Sequence, residues 1–222
     1  MTTFSSNSQT VTLDVFPVAS AGTHPAVLIL HGSFGMMAQF KPDIVSFADA
    51  LLAAGIASAM PYYLESTNTT PGLGVFALID ANTPTWRQDC CDALAVMAGD
   101  ARMDTTRLGI LGFSLGGHLA LSLAMDPPVG ITPKCVVDFF GPTKTLKPHW
   151  AKMPPVKVFH GSADTLVYPS ESEYLVDQLG REGKKKDLDY FYEPSKDESH
   201  GFKGAELMKS RDATVEFFKR RL

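Results

Sequence analysis

The chain is poor in the features that mark secreted or nucleic-acid-binding proteins. Its 222 residues include three cysteines, Cys90, Cys91 and Cys135. An odd set without a pairing pattern favours a reducing compartment over a disulfide framework. Lysine and arginine total 20 against 24 aspartates and glutamates, for a net charge of −4. This balance offers no surplus of positive charge for phosphate backbones, so we predict no nucleic-acid partner.

Long apolar runs are also missing. No stretch reaches the roughly 18 apolar residues of a membrane span. The first ten residues, MTTFSSNSQT, lack the basic start and apolar core of a signal peptide. We therefore predict a cytoplasmic protein with no membrane partner, acting on a small molecule as a monomer or small homo-oligomer.

Short apolar runs alternate with segments of helical spacing. Ala26–Leu30, Leu108–Phe113 and Val156–Phe159 show the unbroken burial of parallel strands. This alternation predicts one α/β domain over residues 1–222, with a mostly parallel sheet flanked by helices on both faces and no large cap domain. Further strands are predicted at Thr10–Val18, Ile56–Met60, Cys135–Phe140 and Leu188–Tyr192, and helices at Cys90–Met97, Leu115–Met125 and Ala205–Leu222.

One predicted connection, Pro61–Thr85, is long for a compact domain. It follows a predicted strand, so it should emerge at the carboxyl edge of the sheet, where open α/β folds bind ligands. We expect it to line the active site, and whether it forms a mobile lid stays open.

The motif G-x-S-x-G occurs once, as Gly112-Phe113-Ser114-Leu115-Gly116. It follows an apolar strand and precedes a helical segment, which is the context of a nucleophile elbow. Ser114 is thus the candidate nucleophile. The alternative is that Ser114 only caps the following helix.

A serine hydroxyl needs a base to remove its proton and an acid to orient that base. His200 follows the last predicted strand, as expected of the base in the chain order serine, acid, histidine. Asp164 follows the strand Val156–Phe159 and is the candidate acid. Asp138, inside an apolar run, is the rival, with a buried structural carboxyl as its other interpretation.

The oxyanion formed during acyl transfer needs backbone donors. One should be the N–H of Leu115, directly after the nucleophile. The second should come from His31-Gly32-Ser33-Phe34-Gly35, where the N–H of Ser33 is the first choice and that of Phe34 the second.

These motifs together resemble the dienelactone hydrolase family of α/β-hydrolases. The resemblance rests on the elbow, on His160-Gly161-Ser162-Ala163-Asp164 and on His200-Gly201-Phe202. It implies a hydrolase of small esters and lactones that uses neither a metal nor an organic cofactor. Founding members of the family have a cysteine nucleophile and an acidic residue in the first oxyanion loop, where this chain has Ser114 and His31-Gly32-Ser33.

The sequence thus predicts a serine hydrolase for a small carboxylic ester or lactone. A thioesterase or small-peptide peptidase with the same triad, or a catalytically weak ligand-binding protein, are the alternatives. Trp86, Arg87 and Tyr62 are the candidate substrate contacts, the arginine for a substrate carboxylate and the aromatic rings for an apolar pocket, although each has a structural interpretation as well.

Overall fold

The computed structural model describes residues 1–146 and 149–222. Eight strands and five α-helices account for most of this part of the chain. The strands are β1 (Thr2–Ser6), β2 (Gln9–Phe16), β3 (His24–Leu30), β4 (Ala57–Pro61), β5 (Met103–Phe113), β6 (Cys135–Phe139), β7 (Val156–Gly161) and β8 (Tyr190–Ser195). The α-helices are α1 (Lys41–Ala53), α2 (Ile79–Gly99), α3 (Leu115–Met125), α4 (Ser170–Arg181) and α5 (Gly204–Arg221).

The strands form one sheet in the order β1-β2-β4-β3-β5-β6-β7-β8. The six strands from β4 to β8 in this order are parallel, and β1 and β2 are antiparallel additions at one edge. Parallel strands place their carboxyl ends at the same edge of a sheet, where α/β proteins bind ligands. The segments that follow β3, β5, β7 and β8 therefore meet at one edge.

Helices cover both faces of the sheet. Helices α1 and α5 pack on one face, around Phe47 and Phe218, while α2, α3 and α4 contribute to the core on the other, around Trp86 and Leu119. Parallel strands buried on both sides are typically near-continuous apolar runs. The unbroken burial of β4, β6 and β7 fits this arrangement and confirms the predicted fold class.

The segment Pro61–Thr85 is more regular than its sequence predicts. It contains two short 3-10 helices, Tyr63–Thr67 and Leu73–Leu78, and helix α2 already begins at Ile79 with Pro84 inside it. The predicted start of this helix at Cys90 is therefore wrong by eleven residues. None of the helices in the described residues is long and apolar enough to cross a bilayer.

Candidate active site

Ser114 lies in the sharp turn between β5 and α3. Its backbone has φ +55° and ψ −117°, a region that L-residues rarely adopt. A Cβ atom on Gly112 would lie 2.1 Å from the Gly116 carbonyl oxygen, and one on Gly116 would lie 2.1 Å from the Leu30 carbonyl oxygen. The two glycines thus permit a turn that any side chain at their positions would block. Ser114 makes no side-chain cap bond to helix α3.

Three predicted side chains meet at the carboxyl edge of the sheet. His200, five residues after β8, brings its Nε2 atom to 3.0 Å from the Oγ atom of Ser114. Its Nδ1 atom lies 2.7 Å from the Oδ2 atom of Asp164, which follows β7. The hydroxyl, imidazole and carboxylate form a continuous series of hydrogen bonds, which is the geometry in which a base can remove the serine proton.

The carboxylate of Asp164 is buried and well hydrogen-bonded. Burial alone would raise its pKa, but hydrogen bonds from His160 and His200 outweigh burial and hold the pKa well below its usual range. The backbone N–H groups of Leu166 and Val167 also donate to Oδ1, at 2.9 and 3.0 Å. Asp164 is therefore ionised and fixed in place.

A second histidine contacts the same carboxylate. The Nε2 atom of His160 lies 2.8 Å from the Val167 carbonyl oxygen and 3.3 Å from Oδ2 of Asp164. Since both neighbours accept, this nitrogen must carry the proton. Its Nδ1 atom lies 2.7 Å from the Ser172 hydroxyl. Burial lowers the pKa of His160, but the hydrogen bond to Asp164 and nearby charges outweigh burial and raise it. The sequence pointed to His160 only as part of the motif that ends at Asp164, and its contact with the Asp164 carboxylate was not predicted.

Asp138, the rival acid, is fully buried in β6 and does not contact His200. Its Oδ1 atom accepts one backbone N–H, from Gly141 at 3.1 Å, and Oδ2 has no partner among the described residues. Burial raises its pKa to about 7, against the smaller effects of His160 and the Gly141 bond. Its position matches the structural interpretation.

The loop after β3 packs against Ser114. A Cβ atom on Gly32 would lie 3.3 Å from the Cβ atom of Ser114. Burial lowers the pKa of His31 to about 4, so its ring is neutral, and its Nδ1 atom donates to the Gly32 carbonyl oxygen at 2.8 Å. The His31 ring also stacks on Tyr63, with ring centres 4.2 Å apart. These contacts fix the loop beside Ser114.

The predicted oxyanion donors are close to this turn. Ser33 and Phe34 line the cavity that contains Ser114, and Leu115 is the first residue of helix α3. Among the described residues, no protein acceptor takes the backbone N–H of Ser33 or Leu115. The positive end of the α3 dipole points at the same place, so a developing negative charge would be stabilised there.

A cavity of about 240 Å³ opens beside Ser114 and His200. Phe140 packs against the imidazole, with its ring centre 4.5 Å from that of His200. Of the phenylalanines that line the cavity, only Phe34 was a candidate site residue from the sequence. The other lining residues are Gly32, Ser33, Phe34, Gly35, Phe40, Asp43, Ile44, Phe47, Phe113, Phe139, Leu166, Gly201, Phe202, Lys203 and Leu207.

The three predicted substrate contacts lie elsewhere. Trp86 is fully buried in the core, with its Nε1 atom donating to Thr67 at 2.8 Å. Tyr62 donates its hydroxyl to Asp14 at 2.8 Å and accepts from a lysine. Arg87 pairs with Asp126 at 3.0 Å beside a different cavity. Each of these three side chains is already bound to another residue of the protein. Their positions therefore do not support contact with a substrate beside Ser114.

The segment Pro61–Thr85 packs against the loop that follows β3, and none of its residues lines the Ser114 cavity, so the expectation that it would line the site is wrong. The Gly72 N–H donates to the Ser33 carbonyl oxygen at 3.0 Å. A Cβ atom on Gly35 would lie 3.0 Å from Pro71. The segment Pro61–Thr85 thus supports the loop that follows β3. Among the described residues, no group of three or more histidine, cysteine, aspartate or glutamate side chains is arranged to hold a metal ion.

Comparisons with known proteins agree with this architecture. A model of the dienelactone hydrolase family matches residues 13–219. Similar solved structures include m3DLH, with a TM-score of 0.80 and 17% identity over 100% of this chain and 97% of that one. Est1E from Butyrivibrio proteoclasticus has a TM-score of 0.74 and 14% identity over 99% and 98%. The Pyrococcus horikoshii acylaminoacyl peptidase has a TM-score of 0.76 and 15% identity over 100% and 41%. At these identities the likeness concerns the fold.

Curated relatives at the sequence level include much longer fungal proteins. The non-reducing polyketide synthase prhL of Penicillium brasilianum is 32% identical over 156 residues, which are 69% of this chain and 6% of that protein. The non-reducing polyketide synthase ausA of Emericella nidulans is 35% identical over 77 residues, 29% of this chain and 3% of that protein. The chain thus spans a few per cent of the length of these relatives.

Proposed function

Since the chain belongs to the dienelactone hydrolase family, we propose that it is a serine hydrolase that cleaves a small carboxylic ester or lactone through a covalent acyl-enzyme. The observation that supports this most directly is the series of hydrogen bonds from Ser114 through His200 to Asp164. A small-molecule substrate, a cytoplasmic location and the absence of nucleic-acid and membrane partners are part of the same proposal.

In the first half-reaction, Ser114 Oγ attacks the ester carbonyl carbon while His200 Nε2 takes the hydroxyl proton. The imidazolium that forms is stabilised by Asp164, whose carboxylate is held ionised by its hydrogen bonds. The tetrahedral intermediate then expels the alkoxide, which takes the proton from Nε2 and leaves as the alcohol. For a lactone, the released hydroxyl stays attached to the acyl group.

The negative oxygen of the tetrahedral intermediate requires donors already in place. We assign this role to the backbone N–H of Leu115 and to that of Ser33, with Phe34 as the alternative second donor. Each such donor is typically worth ~10²–10³ in rate. The neutral His31 ring acts indirectly, because it fixes the loop that presents the second donor.

In the second half-reaction, water attacks the acyl-enzyme while His200 takes one of its protons. Collapse of the second tetrahedral intermediate releases the carboxylic acid, and the Ser114 oxygen recovers its proton from His200. The atoms balance as one ester and one water converted into one acid and one alcohol, with no further reactant.

The test is hydrolysis of p-nitrophenyl acetate by the wild type and by Ser114→Ala. Removing the nucleophile of a working triad costs ~10⁶ in turnover, so the variant should fall to background. Ser122→Ala, on the same helix, is the matched control and should keep full activity. A fluorophosphonate probe should label the wild type and Ser122→Ala but not Ser114→Ala. Equal rates in all three folded proteins would refute the proposed function.

A further inference from the structure

The walls of the Ser114 cavity are mostly apolar, and seven of its eighteen lining residues are phenylalanines. Phe47, Phe113 and Phe139 lie buried at its base and pack against each other, with ring centres 5.0 to 5.3 Å apart. Phe140 and Phe202 pack beside His200, 5.6 Å apart. Apolar surface of this kind gains binding free energy by covering apolar groups and gives no hydrogen bonds to polar ones.

The charges at the cavity are already paired. Lys203 is the one lysine or arginine among the lining residues, all of which the structure describes. Its Nζ atom is bound to the carboxylate of Asp43, which also lines the cavity. The lysine head lies 5.8 Å from the Phe40 ring centre. A substrate carboxylate would therefore have to compete with Asp43 for Lys203. The ion pair that it could form there would be weak, because the position is partly exposed.

The volume sets the size of the occupant. An apolar cavity of about 150 Å³ is large enough for benzene, and this cavity has about 240 Å³. We propose that it binds the acyl group of the substrate, and that this group is an uncharged, apolar one the size of an aromatic ring with a short chain. This inference rests on the proposed function, since it assigns the acyl specificity of the same serine.

The acyl group is the better candidate than the alcohol for a physical reason. The acyl group stays bonded to Ser114 through both half-reactions, while the alcohol must leave before water can attack. Contacts between the acyl group and the buried rings beside Ser114 can therefore position the carbonyl carbon for attack in both half-reactions. Contacts made by the alcohol would instead slow its release.

The first experiment compares kcat/KM for p-nitrophenyl acetate, hexanoate and 3-phenylpropanoate. One buried CH₂ is worth about fourfold. The 3-phenylpropanoyl group has more carbons than the acetyl group, and if the extra ones are buried to the equivalent of about three or four CH₂ groups, kcat/KM should exceed that of acetate by about 100-fold. Mono-p-nitrophenyl adipate, which matches the hexanoate in carbon number but carries a carboxylate, should be at least about tenfold slower than the hexanoate. A parallel series of acetyl esters with larger alcohols should show a much smaller rise.

The second experiment fills the cavity. Leu207→Trp places a larger side chain against the cavity from helix α5, whereas Met208→Trp places it on the exposed neighbouring position. The ratio of 3-phenylpropanoate to acetate kcat/KM should fall about tenfold in Leu207→Trp and stay unchanged in Met208→Trp. If Leu207→Trp does not fold, Phe40→Ala, at a half-buried ring of the wall, should lower the same ratio by removing apolar contact.

The outcomes separate the two claims. Ser114-dependent hydrolysis without acyl preference, a faster adipate than hexanoate, or a steeper rise in the alcohol series would each overturn the acyl assignment and leave the proposed function intact. No Ser114-dependent hydrolysis of any ester would instead refute the proposed function itself.

Discussion

Asp138 and Asp164 are two buried carboxyl groups on or just after neighbouring strands, at the same edge of the sheet, and their pKa values are shifted in opposite directions. Asp164 accepts two backbone N–H bonds and contacts two imidazoles, and its pKa is held well below its usual range. Asp138 accepts one N–H bond, and burial raises its pKa to about 7. Hydrogen bonding, more than burial, decides which carboxylate is ionised and able to stabilise an imidazolium.

The test of this comparison with the largest expected effect uses two variants, Asp164→Asn and Asp138→Asn. Replacing the acid of a triad in this way lowers turnover by ~10⁴, because the histidine loses its correct tautomer and the imidazolium loses its counter-charge. We expect that loss for Asp164→Asn in p-nitrophenyl ester assays, and less than about fivefold for Asp138→Asn. Comparable losses in both folded variants would break the assignment of Asp164 as the acid.

The raised pKa of Asp138 predicts a pH-dependent stability. Below about pH 4 the carboxyl is protonated in both states. Between about pH 4 and 7 it ionises in the unfolded chain but not in the folded one, so stability falls as pH rises. With about 1.4 kcal/mol per pKa unit, the loss by pH 8 is about 4 kcal/mol.

Asp138→Asn should remove that loss and keep the acceptor for Gly141. The measurement is urea unfolding of the wild type and the variant at pH 5 and pH 8. The difference between the two proteins cancels the groups that titrate alike in both. It retains the coupling between Asp138 and His160, whose charges shift each other's pKa. An advantage of the variant that does not grow from pH 5 to pH 8 would contradict the raised pKa.

His160→Gln sharpens the comparison from the side of Asp164. The substitution removes one of the two imidazoles at Oδ2, while the Leu166 and Val167 N–H groups and His200 remain. We expect kcat to fall about tenfold through misplacement of the carboxylate, together with a loss of about 1.5–3 kcal/mol in unfolding free energy. A loss of kcat as large as that of Asp164→Asn would mean that His160 takes part in the chemistry.

The smallest predicted effect concerns a buried hydroxyl, that of Ser58, in place of a buried carboxyl group. Ser58 is fully buried in β4, and its Oγ atom has no partner among the described residues. A buried polar group without a partner costs about 1–3 kcal/mol. Ser58→Ala should therefore raise the unfolding free energy by about 1 kcal/mol, measured by urea titration at constant pH, with esterase activity unchanged. Destabilisation would show that a water molecule satisfies this hydroxyl.

Much of the sheet could be predicted because strands that are buried on both faces appear in the sequence as continuous apolar runs. Strands β3, β4, β6 and β7 lie within two residues of their predicted ends. β1 was not predicted because it is a polar five-residue edge strand that buries only Phe4 and Ser6. Pro84 and the weak apolar periodicity around it obscured the first turns of helix α2, in which the proline lies.

The candidate site also has a part that could be predicted from the sequence and a part that could not. The sequence predicts which side chains follow the carboxyl ends of strands, and this brings Ser114, Asp164 and His200 together in the structure. It does not predict which way the residues of a helix or connection face. Trp86 and Tyr62 were chosen for their aromatic rings, yet one packs in the core and the other is held by Asp14 and a lysine.

The backbone of Ser114 has a consequence for how such a protein can change over evolutionary time. At φ +55° and ψ −117°, glycine would suit the main chain better than any residue with a side chain. The proposed reaction, however, requires a nucleophilic side chain at this position. Under that proposal, selection for a stable fold and selection for hydrolysis favour different residues here, so a copy of the protein freed from selection for hydrolysis would gain stability by replacing Ser114 with glycine.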